Sequence, residues 1–177
     1  TRIRGSLLCE WCRIRIKPCR TIHWSRNGQA AVSSLTDDSR VSDCFDKSGI
    51  PVYSAVEFAG LPGALLVRLK FSGEKQLASL AAELMEMHIG PLPGEYDTIV
   101  PVPASRRRIK SRGYNQAALI ARRLSGMTGS NVKNFLARDD TPSQVALSNE
   151  ERRRNVMGVF HLRGNPSLED AGTLWLL

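Results

Sequence analysis

The stretch Thr98-Ile99-Val100-Pro101-Val102-Pro103 decides the fold. It is short and apolar, with no alternation of apolar and polar residues, as in a strand covered on both faces. Pro101 brings no backbone N–H, so a central ladder frays or bends there. Outward from this stretch the periodicity turns helical. Downstream, from Asn115, residues Ala117, Ile120, Ala121 and Leu124 share an inward face while Arg122 and Arg123 do not. Upstream, Leu77, Leu80, Ala81, Leu84 and His88 form a second apolar stripe, on which His88 reads as a hydrogen-bonded core or boundary histidine. Pro62 opens a shorter helix carrying Leu65, Leu66 and Leu69, and Gly73 is placed to end it. Farther out, Val52, Ser54, Val56 and Phe58 alternate with Tyr53, Ala55 and Glu57 as a strand with one buried face would. Val132 to Leu136 and Val156 to Leu162 are weaker strand candidates, and Gly172 to Leu177 a stronger one with Trp175 inside it. Strands alternating with helices predict an α/β domain with a largely parallel sheet over residues 51–177.

Composition narrows the class. The 177 residues contain 25 Lys+Arg against 17 Asp+Glu, a formal charge of +8, with 42% hydrophobic and 24% charged residues. That balance excludes disorder and collagen, and the length suffices for a hydrophobic core. No apolar run approaches the ~20 residues of a membrane span. The apolar stretch before Cys9 is too short for a secretory signal, so the sequence predicts a cytoplasmic protein without a membrane span. The chain opens on Thr1 in place of Met and closes on the apolar run Thr173-Leu174-Trp175-Leu176-Leu177, as expected of a piece of something longer.

Charge concentrates in one place. Arg106, Arg107, Arg108, Lys110, Arg112, Arg122 and Arg123 fall between Ser105 and Leu124, where no Asp or Glu occurs. A basic loop past a strand end is a natural receptor for phosphate, because ligands of α/β sheets bind beyond the carboxyl ends of strands and guanidinium forks grip phosphate oxygens in pairs. The alternatives are a solvated basic face and a non-specific nucleic-acid footprint. Gly113-Tyr114 offers a tight turn with one aromatic, too little for a base-stacking platform. Arg152-Arg153-Arg154 follow Glu150-Glu151 and read as a partly neutralised helix surface.

Residues 1–50 hold all four cysteines without sustained periodicity and read as a small irregular module. Cys9-Glu10-Trp11-Cys12 has the CxxC spacing that lets two thiolates reach one Zn²⁺, and Cys19 and Cys44 complete four ligands, with His23 as a substitute for one of them. A second CxxC is missing, since Val41 stands three residues before Cys44. Four reduced thiols in a degenerate module are the alternative.

The run Ile99-Val100-Pro101-Val102-Pro103-Ala104-Ser105-Arg106-Arg107-Arg108, continuing as Ser111-Arg112-Gly113-Tyr114-Asn115-Gln116, resembles the ComF/GntX family of phosphoribosyltransferase-like proteins. Leu69-Lys70-Phe71-Ser72-Gly73 resembles the family's helix end, "LKY-x-G". Arg138, Gln144, Leu147, Arg152, Arg153, Asn155 and Phe160 resemble its "R…Q…L…RR-x-N…F" block. The resemblance covers residues 44–177, and the cysteine module matches the family's zinc knuckle in position, in eroded form.

The resemblance implies a type I phosphoribosyltransferase fold, a parallel sheet flanked by helices that binds phosphoribosyl pyrophosphate with Mg²⁺. It places Arg106, Arg107 and Arg108, with Arg112 in the same patch, near the pyrophosphate, and Arg138, Gln144 and Arg152 in the segment that closes over the ligand. Such enzymes also carry a strand ending in two acidic residues and a Thr- and Gly-rich loop that holds the 5′-phosphate. Asp139-Asp140-Thr141 does not qualify, because Pro142 follows it and Arg138 precedes it where an apolar strand is needed. Thr173 to Leu177 resembles the strand that leads into that loop, so this chain is expected to be truncated, to bind phosphoribosyl pyrophosphate negligibly and to be inactive as a transferase. A non-enzymatic alternative is a single-stranded-DNA-associated competence factor using the same basic patch. A third is a gene-fragment product without independent function.

Overall fold

An antiparallel pair of strands, β1 (Thr21–Trp24) and β2 (Ala30–Ser33), is followed by two helices, α1 (Gly60–Phe71) and α2 (Leu77–His88). Then come β3 (Thr98–Val100), α3 (Arg106–Arg112), α4 (Gln116–Thr128), β4 (Asn131–Val132), β5 (Leu136–Arg138), α5 (Asn149–Val156), β6 (Phe160–Leu162) and β7 (Leu174–Leu176). The computed structural model describes residues 21–24, 30–33, 53–56, 58–89, 95, 97–141, 148–167 and 172–177, with the backbone alone at 21–24, 30–33, 149, 152 and 153. Cys9, Cys12, Cys19 and Cys44 lie outside the described residues. Among the described residues no helix is long and apolar enough to cross a membrane.

The chain divides into two units, residues 1–68 with 79–92 and residues 69–78 with 93–177. In the first, Leu80 and Leu84 of the predicted α2 stripe are buried together with Ala82 and Ile89, which lay outside it, while Ala81 and His88 are half-buried. Gly63 of α1 is buried as well, and a β-carbon there would stand 3.2 Å from the carbonyl carbon of Phe58, an approach closer than most side chains make. His88 departs from expectation, since its Nε2 is buried with no hydrogen-bond partner among the described residues. The strand predicted over Val52 to Phe58 is not formed by the described residues. Tyr53, Ser54, Ala55 and Val56 are all half-buried and Phe58 is exposed, so the alternation selects no buried face.

The second unit is built around β3. It pairs in parallel with β4 (Thr98↔Asn131, Ile99↔Val132) and with β7 (Thr98↔Leu174, Ile99↔Trp175, Val100↔Leu176), in the order β4-β3-β7. Thr98, Ile99 and Val100 are all buried, as a strand without alternation requires. Pro101 ends β3, yet the pairing with the last strand resumes beyond it. Leu177 donates to the Val100 carbonyl (3.1 Å), and Val102 donates to that of Leu177 (2.7 Å). Helix α4 packs on β3 and β4 through Ala121 and Leu124, while Arg122 and Arg123 stay exposed. Burying a side chain such as Ile99 or Leu124 contributes roughly 1.5–3 kcal/mol.

Two predicted strands resolve differently. The segment Val132 to Leu136 divides between β4 and β5, which belong to separate sheets, and Val156 ends α5, so only Phe160–Leu162 is extended. β5 and β6 pair antiparallel. β7 is less enclosed than its sequence suggests. Leu174 and Leu176 are exposed and Trp175 is half-buried, its Nε1–H donating to Asp97 Oδ2 (3.0 Å) while Asp97 Oδ1 accepts from the Thr173 N–H (3.0 Å). One carboxylate thus anchors the last strand.

Candidate functional site

The basic segment past β3 is a helix and not a loop. Alone, α3 is an improbable helix: it has seven residues, five of them Arg or Lys, no acid in its first turn and no buried side chain. Isolated helices need about 12–15 residues to be marginally stable, and like charges at helical spacing repel. Its ends supply what its length does not. Ser105 caps the N-terminus, its Oγ accepting from the Arg108 N–H (3.3 Å), and the Arg107 N–H donates to Asp140 Oδ1 (3.2 Å). At the other end Gly113 adopts φ +80°, and its N–H donates to the Ile109 carbonyl (2.7 Å). Few residues other than glycine hold that left-handed conformation without strain.

The turn that follows fixes the helix to its surroundings. Tyr114 is buried, with its hydroxyl donating to the Leu69 carbonyl and Lys75 Nζ 5.4 Å from its ring centre. Asn115 caps α4 by accepting from the Ala117 N–H (3.1 Å), and its Nδ2 donates to the Val102 carbonyl (2.9 Å). The lone aromatic of the tight turn is therefore a tether that holds residues 69–78 against the helical turn.

This arrangement surrounds a cavity of about 540 Å³, within the ~300–1,000 Å³ of small-molecule sites. Arg107, Arg108, Ser111 and Arg112 of α3 line it. At ~100° per residue these positions span about 140° of one helix side. Arg106 and Lys110 fall on another side, are exposed and do not line the cavity. Arg106, expected beside Arg107 and Arg108 at the pyrophosphate, is thereby separated from them by helical geometry, which a loop would not have imposed. Arg138, from the end of β5, lines the cavity from a different element, 30 residues along the chain from Arg108.

Two of the guanidinium groups are held in place. Arg112 donates through Nη1 to Gln116 Oε1 (2.9 Å) and stacks over Phe71, 5.0 Å from the ring centre. Arg138 donates through Nη2 to Thr141 Oγ1 (2.9 Å) and lies 5.3 Å from the ring centre of Phe160, its cross-strand partner. Burial lowers the pKa of both from the usual arginine value, and the neighbouring Arg108 lowers them further; Asp140 opposes the effect at Arg138. Both remain cations at neutral pH. The Nε of Arg138 is buried without a partner among the described residues. No Asp or Glu lines the cavity among those residues. Cations gathered in a concavity without a facing carboxylate favour an anionic occupant, most of all one whose oxygens accept from guanidinium forks.

Of the other sequence candidates, Gln144 lies outside the described residues, and Arg152 belongs to α5 with its side chain outside them. Lys70, Phe71, Ser105, Ser111, Gln116 and Thr141 line the cavity without having been singled out as site residues. Arg112 and Gln116 stand at i and i+4, a spacing that announces their contact only if both are helical. Asp139-Asp140-Thr141 does follow a strand, β5, and that strand ends on Arg138 itself. Asp140 and Thr141 act as supports, one for the α3 backbone and one for Arg138.

No protein-family model matches the chain, and no solved structure matches it. Among curated proteins it is similar to "Competence protein F" of Haemophilus influenzae, 30% identical over 105 residues, covering 55% of this chain and 46% of that protein. The chain spans about half the length of that relative.

Proposed function

We propose that this chain is a ComF-type, phosphoribosyltransferase-like protein whose cavity binds a phosphorylated sugar or nucleotide, in a role connected with competence or nucleotide metabolism. One observation carries the reading: Arg107, Arg108, Arg112 and Arg138 line one cavity that no carboxylate lines among the described residues. The three ordered motifs and the similarity to Competence protein F support it. In phosphoribosyl transfer the pyrophosphate leaves the anomeric carbon as positive charge builds on the sugar. What this chain's residues contribute to that chemistry is a grip on the departing phosphates and their orientation.

Mg²⁺ accompanies phosphoribosyl pyrophosphate in the reaction the resemblance implies. Mg²⁺ is ordinarily held by carboxylates together with substrate phosphates. The cavity offers guanidinium, hydroxyl and amide groups and, among the described residues, no cluster of His, Cys, Asp or Glu. These residues do not fit a protein-held Mg²⁺. Zinc at Cys9, Cys12, Cys19 and Cys44 is a separate proposal, tested by the zinc content of the purified chain and of its Cys9→Ser variant.

Titration calorimetry tests the main reading. Pyrophosphate is expected to bind saturably. Heats indistinguishable from dilution with pyrophosphate would remove the basis for the proposal. The exposed Arg106, Lys110, Arg122 and Arg123 favour the second reading, single-stranded DNA on the outer basic surface. It predicts binding that falls steeply with salt and weakens on charge reversal at Arg122 and Arg123.

A further inference from the structure

The cavity has a feature that phosphate binding does not use. Phe71 lines it at the end of α1 with 69% of its surface exposed, while Arg112 stacks over its ring. Tyr114, also in this unit, is buried. An exposed phenylalanine on a helix end is ordinary by itself. Here it stands in a concavity of cations, with its neighbouring guanidinium held in place by Gln116. A planar ring with a fixed cation beside it is what a second flat, π-bearing group stacks on.

We propose that the occupant of the cavity is a free nucleotide, its base stacked on Phe71 and its phosphate among Arg107, Arg108 and Arg138. The inference rests on the phosphate-binding reading and adds a ligand class to it. Sugar phosphates and inorganic anions satisfy the arginines and leave Phe71 without a role. A nucleobase covers the aromatic surface, and its edge comes within reach of the amide and hydroxyl groups of Gln116 and Ser111, which line the same cavity. Phe71 is then a specificity determinant, separating nucleotides from other phosphate esters.

Calorimetry with adenosine 5′-monophosphate, ribose 5-phosphate and pyrophosphate tests this on the full chain. The nucleotide is expected to bind about tenfold more tightly than ribose 5-phosphate, a modest value for stacking on one aromatic. Phe71→Ala should remove that advantage, weakening the nucleotide about tenfold more than it weakens pyrophosphate, and Phe71→Tyr should keep it. Because Phe71 is largely exposed, both variants are expected to unfold at the same denaturant concentration as the parent. Equal binding of nucleotide and ribose 5-phosphate by the parent, or an advantage that survives Phe71→Ala, overturns the stacking role. Pyrophosphate binding without nucleotide preference overturns only this inference, whereas failure of pyrophosphate to bind overturns the reading beneath it. An oligothymidylate that displaces pyrophosphate at a lower nucleotide concentration than the monophosphate would place a DNA strand on Phe71 and overturn the assignment to a free nucleotide.

Discussion

Asp140 reaches across 33 positions of sequence to accept a hydrogen bond from the backbone N–H of Arg107, so that a carboxylate supports the first turn of the helix that carries the cationic cluster. The same carboxylate favours the charged form of Arg138. It therefore has two opposed effects. It steadies α3 by meeting an orphan donor at its positive end, and it cancels part of the field that an anionic ligand would feel.

Two substitutions separate these effects. Asp140→Asn keeps an oxygen for the Arg107 N–H and removes the charge, so pyrophosphate affinity should rise about two- to fivefold with stability nearly unchanged, in line with the ~0.2–1 kcal/mol of an exposed charge pair. Asp140→Ala removes both and should cost about 1 kcal/mol, the value of a lost helix cap. Calorimetry and urea denaturation check the pair. A fall in affinity on Asp140→Asn would show the carboxylate to be part of the binding surface.

Tyr114 predicts a purely structural loss. Its hydroxyl satisfies the buried Leu69 carbonyl, and Tyr114→Phe leaves that acceptor unmet at almost unchanged volume. The expected cost is about 1–3 kcal/mol in urea denaturation. Because the tether holds the segment that carries Lys70 and Phe71, nucleotide binding should weaken more than pyrophosphate binding.

His88 predicts the direction of a pH response. Burial lowers its pKa in the folded chain from the ordinary 6.5, so between the two values the unfolded chain binds more protons. Stability from this group is complete above about pH 6.5 and declines as pH falls through that value toward the folded pKa. Among the described residues its Nε2 has no partner, so nothing there compensates a proton on that nitrogen. Thermal melts between pH 7.5 and 5 should show the decline, and His88→Gln should flatten it. Melts of equal slope in both proteins would assign the response to other groups.

How far the sequence discloses this molecule depends on the range of the interaction concerned. Unbroken apolarity from Ile99 to Val102 identified the central strand, and the Ala117, Ala121 and Leu124 spacing identified the helix packed on it, because both signals are local and answer directly to burial. The helicity of Arg106–Arg112 was not legible: five cations without a buried face give no periodic signal, and the stabilising carboxylate lies at Asp140, far along the chain. The separation of Arg106 from Arg107 and Arg108 follows from that helicity and was hidden with it. Arg138 was legible only through the family motif, since β5 and β6 are three residues each and pair across an intervening helix. Phe71 stood in a quoted motif, but its exposure beside Arg112 is a tertiary fact.

Arg106 and Arg108 supply the sharpest contrast within one helix. They carry the same charge two residues apart, yet Arg108 lines the cavity and Arg106 does not. A diffuse basic surface would respond to either reversal alike, because at that spacing a screened field hardly distinguishes them. A formed site would not. Arg108→Glu should weaken pyrophosphate binding by at least about tenfold, as expected when a charged hydrogen bond worth ~1.5–3 kcal/mol is replaced by repulsion, and Arg106→Glu by less than about threefold. Arg138→Ala should approach the Arg108 effect although it lies on another element, because the cavity and not the helix is the functional unit. Affinities measured by calorimetry at two salt concentrations decide the matter: equal losses at Arg106 and Arg108, vanishing together as salt rises, would reduce the cluster to a basic face and take the phosphate site with it.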